Sequence, residues 1–303
     1  MRHHIEAALG EPGRRWLAEL PAAIAEACAR WSLAPRDPYP DLSYGWVAPV
    51  ERSDGSEAVL KLGWPDPEAR TGIEALRCFD GRGAVRLLDS DPARAWLLLE
   101  RLQPGQSLAH CDDATAARHW ASVVGALHRA PPEDHDFPTL RDWWRRGGEI
   151  RRGSFPRDPR LPARLLEWAE EAFRSLDDGA VCRVLLHGDL HHRNVLSAAR
   201  APWLAIDPKG VVGDPAFEPG AFLRNPIPEL EGVPDLEARL DRRLEVLAEE
   251  TGLDLERMAA WGAVGAVLSA TWDLTAGGAH VDHAVACARH LAGVADPGVA
   301  FDR

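Results

Sequence analysis

Apolar residues recur at helical spacing between residues 14 and 31, at Trp16, Leu17, Leu20, Ile24, Ala27 and Trp31. This predicts an amphipathic helix that Pro35 and Pro38 bring to an end. The period then shortens. Residues 42–50 and 58–62 read as strands, joined by the turn Ser53-Asp54-Gly55-Ser56. Helical spacing returns from Pro67 to Phe79, with proline in the first turn and Gly81 past the end. Residues 84–88 and 96–100 predict two more strands, split by Ser90-Asp91-Pro92, before Gln103-Pro104-Gly105 interrupts the pattern. Beyond it helical periodicity dominates, except for apolar runs near residues 184, 195 and 203. Residues 151–162, rich in Arg, Pro and Asp, read as an exposed connection between helices. The expectation is an α+β chain with a small N-terminal sheet lobe, residues 1–102, and a larger, mainly helical lobe, residues 103–303.

Composition narrows the class. The 303 residues are long enough for two lobes, and a hydrophobic share of 46% is ordinary for a globular protein. The formal net charge of −12 argues against non-specific binding to nucleic acid or an anionic membrane. It suits a cationic acceptor or a magnesium–nucleotide complex better. The five cysteines (Cys28, Cys78, Cys111, Cys182 and Cys287) are scattered, with no CxxC pair. They read as reduced core residues of a cytoplasmic protein. The N-terminus has no apolar signal core. Residues 258–272 are apolar but too short to span a bilayer, which predicts a buried helix.

The chemistry concentrates in Leu186-His187-Gly188-Asp189-Leu190-His191-His192-Arg193-Asn194, followed by Ile206-Asp207. An Asp, an Asn five residues on and a second Asp after a short strand form the order in which kinases hold a catalytic carboxylate and two Mg²⁺ ligands. Asp189 would face a substrate hydroxyl. Asn194 and Asp207 offer the hard oxygens that Mg²⁺ prefers, and His187 would brace the loop. Arg193 could assist the transferring phosphate. A zinc site built on His187, His191 and His192 is the competing reading, but adjacent histidines point apart and no HExxH occurs.

In the first lobe, Lys61 is the one charged residue of an apolar strand and could clamp the α- and β-phosphates of ATP or GTP. Its expected carboxylate partner is Glu74, favoured over Glu68. Glu100, Arg101 and Leu102 end a buried strand where a hinge would offer backbone groups to a nucleobase. No GxGxxG or GxxxxGK[ST] occurs, which argues against a P-loop enzyme. Gly45, within residues 43–46, is the candidate cover over the phosphates. From residue 210 onward acidic residues far outnumber basic ones. Asp214, Glu218, Trp272 and Asp273 are therefore the candidate contacts to a small, cationic acceptor.

The HGDxxxxN block with Ile206-Asp207-Pro208 resembles the signature of aminoglycoside phosphotransferase-like kinases. Three further segments, residues 81–88, 206–213 and 222–226, are similar to the streptomycin 6-phosphotransferase and hydroxyurea phosphotransferase branch. The likeness runs from about residue 42 to 272. It implies a bilobal, protein-kinase-like fold with Asp189 as catalytic base, Mg²⁺ on Asn194 and Asp207, and Lys61 on the phosphates. The implied reaction is transfer of the γ-phosphate to a hydroxyl of an aminoglycoside or hydroxyurea. Gly72 departs from the branch, which often carries an acidic residue near that position. Alternatives of the same fold are a metabolite kinase for an amino alcohol or sugar and a catalytically silent nucleotide-binding protein. A zinc hydrolase is the alternative of another kind.

Overall fold

The computed structural model describes the chain apart from residues 41, 43, 157, 300, 302 and 303. Ser43 of the candidate phosphate cover thus lies outside the described residues. Helix α1 spans Arg2–Trp31 and begins earlier than its periodicity predicts, because Gly10 adopts φ 58° and joins two helical stretches across a kink. Ser32, in the left-handed region, ends it. Strands β1 (Leu33–Pro35), β2 (Gly45–Arg52) and β3 (Glu57–Gly63) follow. The β2–β3 turn falls on residues 53–56, where the Asp54 side chain accepts the Ser56 N–H.

Helix α2 occupies Pro67–Phe79. Asp66 caps it by accepting the Ala69 N–H, Pro67 sits where no donor is needed, and Asp80 turns left-handed past the end. Strands β4 (Leu87–Asp91) and β5 (Trp96–Glu100) complete a sheet of order β1-β2-β3-β5-β4 whose neighbours are all antiparallel. The expected strand at 84–88 is corrected here. Ala84 and Val85 leave this sheet, and the Val85 N–H bonds the Ala205 carbonyl at 2.8 Å while the Ala205 N–H bonds Gly83 at 2.8 Å. Ser90 and Asp91 belong to the strand, so the turn falls on residues 92–95. One sheet face packs on α1 through Leu20, Ala27, Trp46, Leu60, Leu62 and Trp96.

The rest is mostly helical: β6 (Pro104–Ser107), α3 (Asp113–Leu127), α4 (Leu140–Ser154), α5 (Ala163–Asp178), β7 (Val184–Leu186), β8 (Val195–Ala198), β9 (Trp203–Ala205), β10 (Val211–Gly213), α6 (Pro219–Leu223), α7 (Leu236–Thr251), α8 (Leu255–Thr275) and α9 (Val281–Ala295). β7 pairs with β10, and β8 lies between β6 and β9. These two small ribbons hold the motif loops between helices. α8 is the central helix, buried from Met258 to Leu274 against α9, α6 and α5. That burial explains why it is apolar on every side. Among the described residues no helix is long and apolar enough to cross a membrane.

The exposed connection expected at 151–162 is corrected at its start. α4 continues to Ser154, and Arg151 is buried with its guanidinium 4.9 Å from the Trp144 ring centre and bonded to Thr271. An arginine lying over an aromatic face with its donors satisfied can be buried where composition suggests solvent. Residue 157 of this stretch lies outside the described residues.

Candidate active site

β7 delivers the chain at His187, which has no exposed surface. The Asp189 N–H donates to His187 Nδ1 at 3.2 Å, which leaves Nε2 to donate to the Ile206 carbonyl at 2.8 Å. One ring thereby ties the backbone of Asp189 to the residue before Asp207. Beneath it lies Glu218, 1% exposed, whose carboxylate accepts the His187 N–H at 2.7 Å and the Gly188 N–H at 2.9 Å. Gly188 itself sits at φ 84°, and a Cβ there would come within 2.8 Å of Trp143. Only glycine fits that turn.

Beyond Asp189 the loop is closed from several sides. Trp120 Nε1 donates to the Leu190 carbonyl at 2.6 Å, and the Ser107 hydroxyl donates to the His192 carbonyl at 2.8 Å. His192 stacks on Phe222 with ring centres 4.1 Å apart. Burial, with the nearby Arg243 charge, pushes its imidazole down to about 2. Burial also lowers the His191 pKa, against the pull of Asp189. The Asn194 Nδ2 donates to the Asp189 carbonyl at 2.9 Å. That bond fixes the amide and leaves Oδ1 as its free acceptor.

Asp207 follows β9 and adopts φ 60°, a conformation that costs energy for a residue with a Cβ and so marks a constrained position. Its carboxylate pairs with Lys61 on β3 and is half exposed. Crowding by protein would raise its pKa, but the Lys61 and Lys209 charges hold the carboxyl well below the usual carboxylate range. Lys209 pairs with Glu68 of α2 at 2.6 Å. Crowding would lower its pKa, and Glu68, Asp189 and Asp207 outweigh this and hold the ammonium above its ordinary value. The structure therefore brings Asp189, Asn194, Asp207 and Lys61 close to one another, with the His187 ring bonded between the Asp189 N–H and the Ile206 carbonyl.

Other sequence expectations require correction. Glu74 does not meet Lys61. It pairs with Arg77 one turn along α2 and lines a cavity of about 670 Å³ with Arg70, Asp134 and His135. The α2 carboxylate nearest the site is Glu68, and it holds Lys209. Gly72 is explained by close approach, since a Cβ there would lie 2.5 Å from the Pro208 carbonyl. Arg193 turns outward to Glu229, so it is not aimed at a phosphate. Gly45 is a strand residue whose Cα faces Leu62 and Gly63, with no left-handed turn for a phosphate cradle. At the expected hinge, the Glu100 N–H donates to the Arg86 carbonyl, and its side chain accepts from Arg200 and the Arg86 N–H. Arg101 points to Glu57 at 2.6 Å, and Leu102 is partly buried against the large core.

The acceptor candidates divide. Asp214 is 5% exposed, caps the turn Pro215–Phe217 and pairs with Arg257, so it is structural. Glu218 is the buried brace described above. Asp273 accepts the His280 N–H at 2.6 Å. Trp272 is edge-on to Trp143 with ring centres 5.4 Å apart, and Trp143 lies against Gly188. The three motif histidines do not converge, and among the described residues no group of three or more His, Cys, Asp and Glu is placed to hold a metal ion. Sequence reasoning missed Trp143, Lys209 and Arg224. Arg224 is partly buried, has no side-chain hydrogen bond or ion pair among the described residues, and feels the Asp189 charge. The signals were available: the chain has only two lysines, and Arg224 lies in one of the branch-like segments.

Those segments also acquire a structural role. Arg200 donates to the Gly81 and Ala84 carbonyls, which clamps residues 81–88 against β9. Arg243, 2% exposed, donates to the carbonyls of Phe222, Leu223 and Asn225 and so fixes the ring that supports His192.

The chain is similar to known proteins over most of its length. The chain is 37% identical over 288 residues to a streptomycin 6-kinase of Streptomyces glaucescens, covering 91% of this chain and 90% of that one. It is 36% identical to a hydroxyurea phosphotransferase of Kitasatospora aureofaciens, over 88% of this chain and 77% of that one. Among solved structures it shares its fold with aminoglycoside phosphotransferase APH(4)-Ia in complex with ADP and hygromycin B. The TM-score there is 0.65 at 13% identity, over 91% of this chain and 99% of that one. It also shares it with choline kinase LicA of Streptococcus pneumoniae, with TM-score 0.64 at 16% identity, over 90% and 98% of the two chains. The fold is thus the bilobal, protein-kinase-like one. The family model described as aminoglycoside/hydroxyurea antibiotic resistance kinase matches residues 30–277. A catalytic-loop carboxylate, an amide and a strand-end carboxylate facing a strand lysine are what such a kinase requires, and the chain belongs to the aminoglycoside/hydroxyurea antibiotic resistance kinase family.

Proposed function

We propose that this phosphotransferase moves the γ-phosphate of ATP or GTP to a hydroxyl of a streptomycin-type aminoglycoside. The observation that carries the reading is that Asp189, Asn194, Asp207 and Lys61 lie together, joined by the Asn194–Asp189 hydrogen bond and the Lys61–Asp207 pair. The names of its relatives supply the acceptor class. Residues 1–102 form the nucleotide lobe and residues 103–303 the catalytic and acceptor lobe of this reading. The site of action is the cytoplasm, where the donor is made.

The donor atoms present fit magnesium. Asn194 Oδ1 is left open because Nδ2 is engaged, and the Asp207 carboxylate is half exposed. Two hard protein oxygens with phosphates and water completing the shell is the usual way Mg²⁺ is bound. Bound there, the ion would offset charge on the phosphate oxygens. Asp189 accepts the proton of the attacking hydroxyl. Lys61 exchanges Asp207 for the α- and β-phosphates. His187 and Glu218 keep the Asp189 backbone in place while charge moves, so little reorganisation is needed. Trp143 and Trp272 provide aromatic edges beside Gly188 for an acceptor.

A second reading, hydroxyurea as acceptor, is favoured by Arg224. A partnerless guanidinium in the field of Asp189 suits a small neutral acceptor better than a polycation. A mass-spectrometric screen for phosphorylated products tests both, with streptomycin, other aminoglycosides and hydroxyurea as acceptors. A streptomycin phosphate is expected. Phosphate appearing only on amino alcohols or simple sugars, or on none of these, would overturn the assignment.

A further inference from the structure

Of 35 lysine and arginine residues, only Lys61 and Lys209 are lysine, and both lie beside Asp207. A guanidinium is a planar fork, whereas an ammonium is a compact point charge with three donors that can turn toward a new partner. A chain that otherwise uses arginine has thus placed its two compact cations on either side of one carboxylate.

Lys61 is accounted for by the proposed function, and Lys209 is not. Its backbone is fixed: its N–H donates to the His187 carbonyl at 2.8 Å, and its carbonyl accepts the Thr71 hydroxyl at 2.6 Å. A Cβ at Gly188 would lie 3.3 Å from the Lys209 Cβ, so the lysine stem rises beside the residue that precedes Asp189. Among the described residues the ammonium is held by Glu68 alone, in a pair whose side chains are 31% and 51% exposed. Such a pair is weak and exchangeable. Asp189 and Asp207 are the other carboxylates acting on it. The backbone is pinned, the head group is paired across exposed side chains, and its stem rises beside Gly188, next to Asp189 and two residues from Asp207.

We propose that Lys209 is a second phosphate-binding lysine, which leaves Glu68 and contacts the γ-phosphoryl group during transfer while Lys61 serves the α- and β-phosphates. The inference rests on the kinase reading of this site. As the bond from Pγ to the leaving nucleoside diphosphate breaks, the acceptor oxygen bonds to Pγ and its proton passes to Asp189. Lys209 donates hydrogen bonds to the γ-oxygens throughout and changes no covalent bond. The exchange also frees Glu68, so the N-terminal turn of α2 responds to an occupied phosphate site.

An ATP analogue whose terminal phosphate carries a tagged acyl group tests this, because it acylates lysines that touch the phosphates. Peptide mapping is expected to find the tag on both Lys61 and Lys209, and excess ATP with Mg²⁺ is expected to suppress both. Protected tagging of Lys61 alone would overturn the role of Lys209 and leave the kinase reading standing. ATP-protected tagging of neither would overturn that reading. Glu68→Gln should still tag Lys209, whereas Lys209→Met should lower kcat about 10²-fold with a much smaller change in nucleotide KM. A Glu68→Gln enzyme losing as much kcat as Lys209→Met would mean that the lysine merely anchors α2.

Discussion

The loop of residues 187–194 and the neighbouring charged groups Lys61, Glu68 and Lys209 lie close together but are held differently. The loop rests on buried partners: His187 and Glu218 have almost no exposed surface, and Trp120, Ser107 and Phe222 fix its remaining turns. The charged groups are held by ion pairs between partly exposed side chains. A loop held by buried hydrogen bonds and ring packing keeps its shape whether or not ligand is present. Exposed ion pairs contribute little and rearrange at low cost when a stronger partner arrives. Geometry that must be ready in advance is thus built from burial, and geometry that must answer the nucleotide is built from exchangeable charge.

Five substitutions sharpen or break this contrast. The largest effect is expected from Asp189→Ala, which removes the base but none of the loop supports. Steady-state kinetics should show kcat lowered by ~10² to 10⁴ with nucleotide binding retained. Near-normal turnover would remove Asp189 from its role. Glu218→Ala comes next. It strands two buried N–H groups, and each costs about 1–3 kcal/mol. Urea unfolding should shift to lower midpoint, with kcat falling as the loop loosens. An unchanged midpoint would mean that the loop is not held by burial.

His192→Phe tests the same region through pH. Its folded pKa lies near 2, below the ordinary histidine value. The unfolded chain therefore binds a proton that the native chain refuses, and native stability is full above about pH 6.5 and declines as pH falls toward 2. Between pH 6.5 and 5 the loss is about 2 kcal/mol, and the phenylalanine variant should lose that much less across the interval. Identical stability–pH curves for both proteins would contradict the buried, neutral ring. The smallest effect belongs to the exposed pairs. Arg193→Ala or Glu74→Ala should change stability by about 0.5 kcal/mol or less and leave kcat within a few-fold. A hundredfold loss in either variant would return that residue to the site.

The same contrast explains what could be read from the chain. α2 is legible because Asp66, Pro67 and the Phe79-Asp80-Gly81 end are local signals, and the catalytic loop because its spacing is written in nine consecutive residues. The Lys61–Asp207 and Lys209–Glu68 pairs join residues far apart in sequence, and no periodicity encodes which carboxylate meets which lysine. Glu74 reads as a better partner for Lys61 than Glu68 on the same helix, yet it pairs with Arg77. Glu218 reads as an acceptor contact, because sequence shows a carboxylate but not the two backbone donors that bury it. The start of α1 was hidden for another reason: Gly10, Pro12 and Gly13 carry the composition of a break, and a kinked helix tolerates it.

The central claim is that Asn194 and Asp207 hold the divalent ion of a nucleotide complex facing Asp189. Mn²⁺ can replace Mg²⁺, and electron paramagnetic resonance reports directly on whether Mn²⁺–ATP is bound. The wild-type protein should bind Mn²⁺–ATP with an altered manganese spectrum, and Asp207→Ala should weaken that binding at least about tenfold while remaining folded. Equal affinity and an identical spectrum in the two proteins would contradict the account.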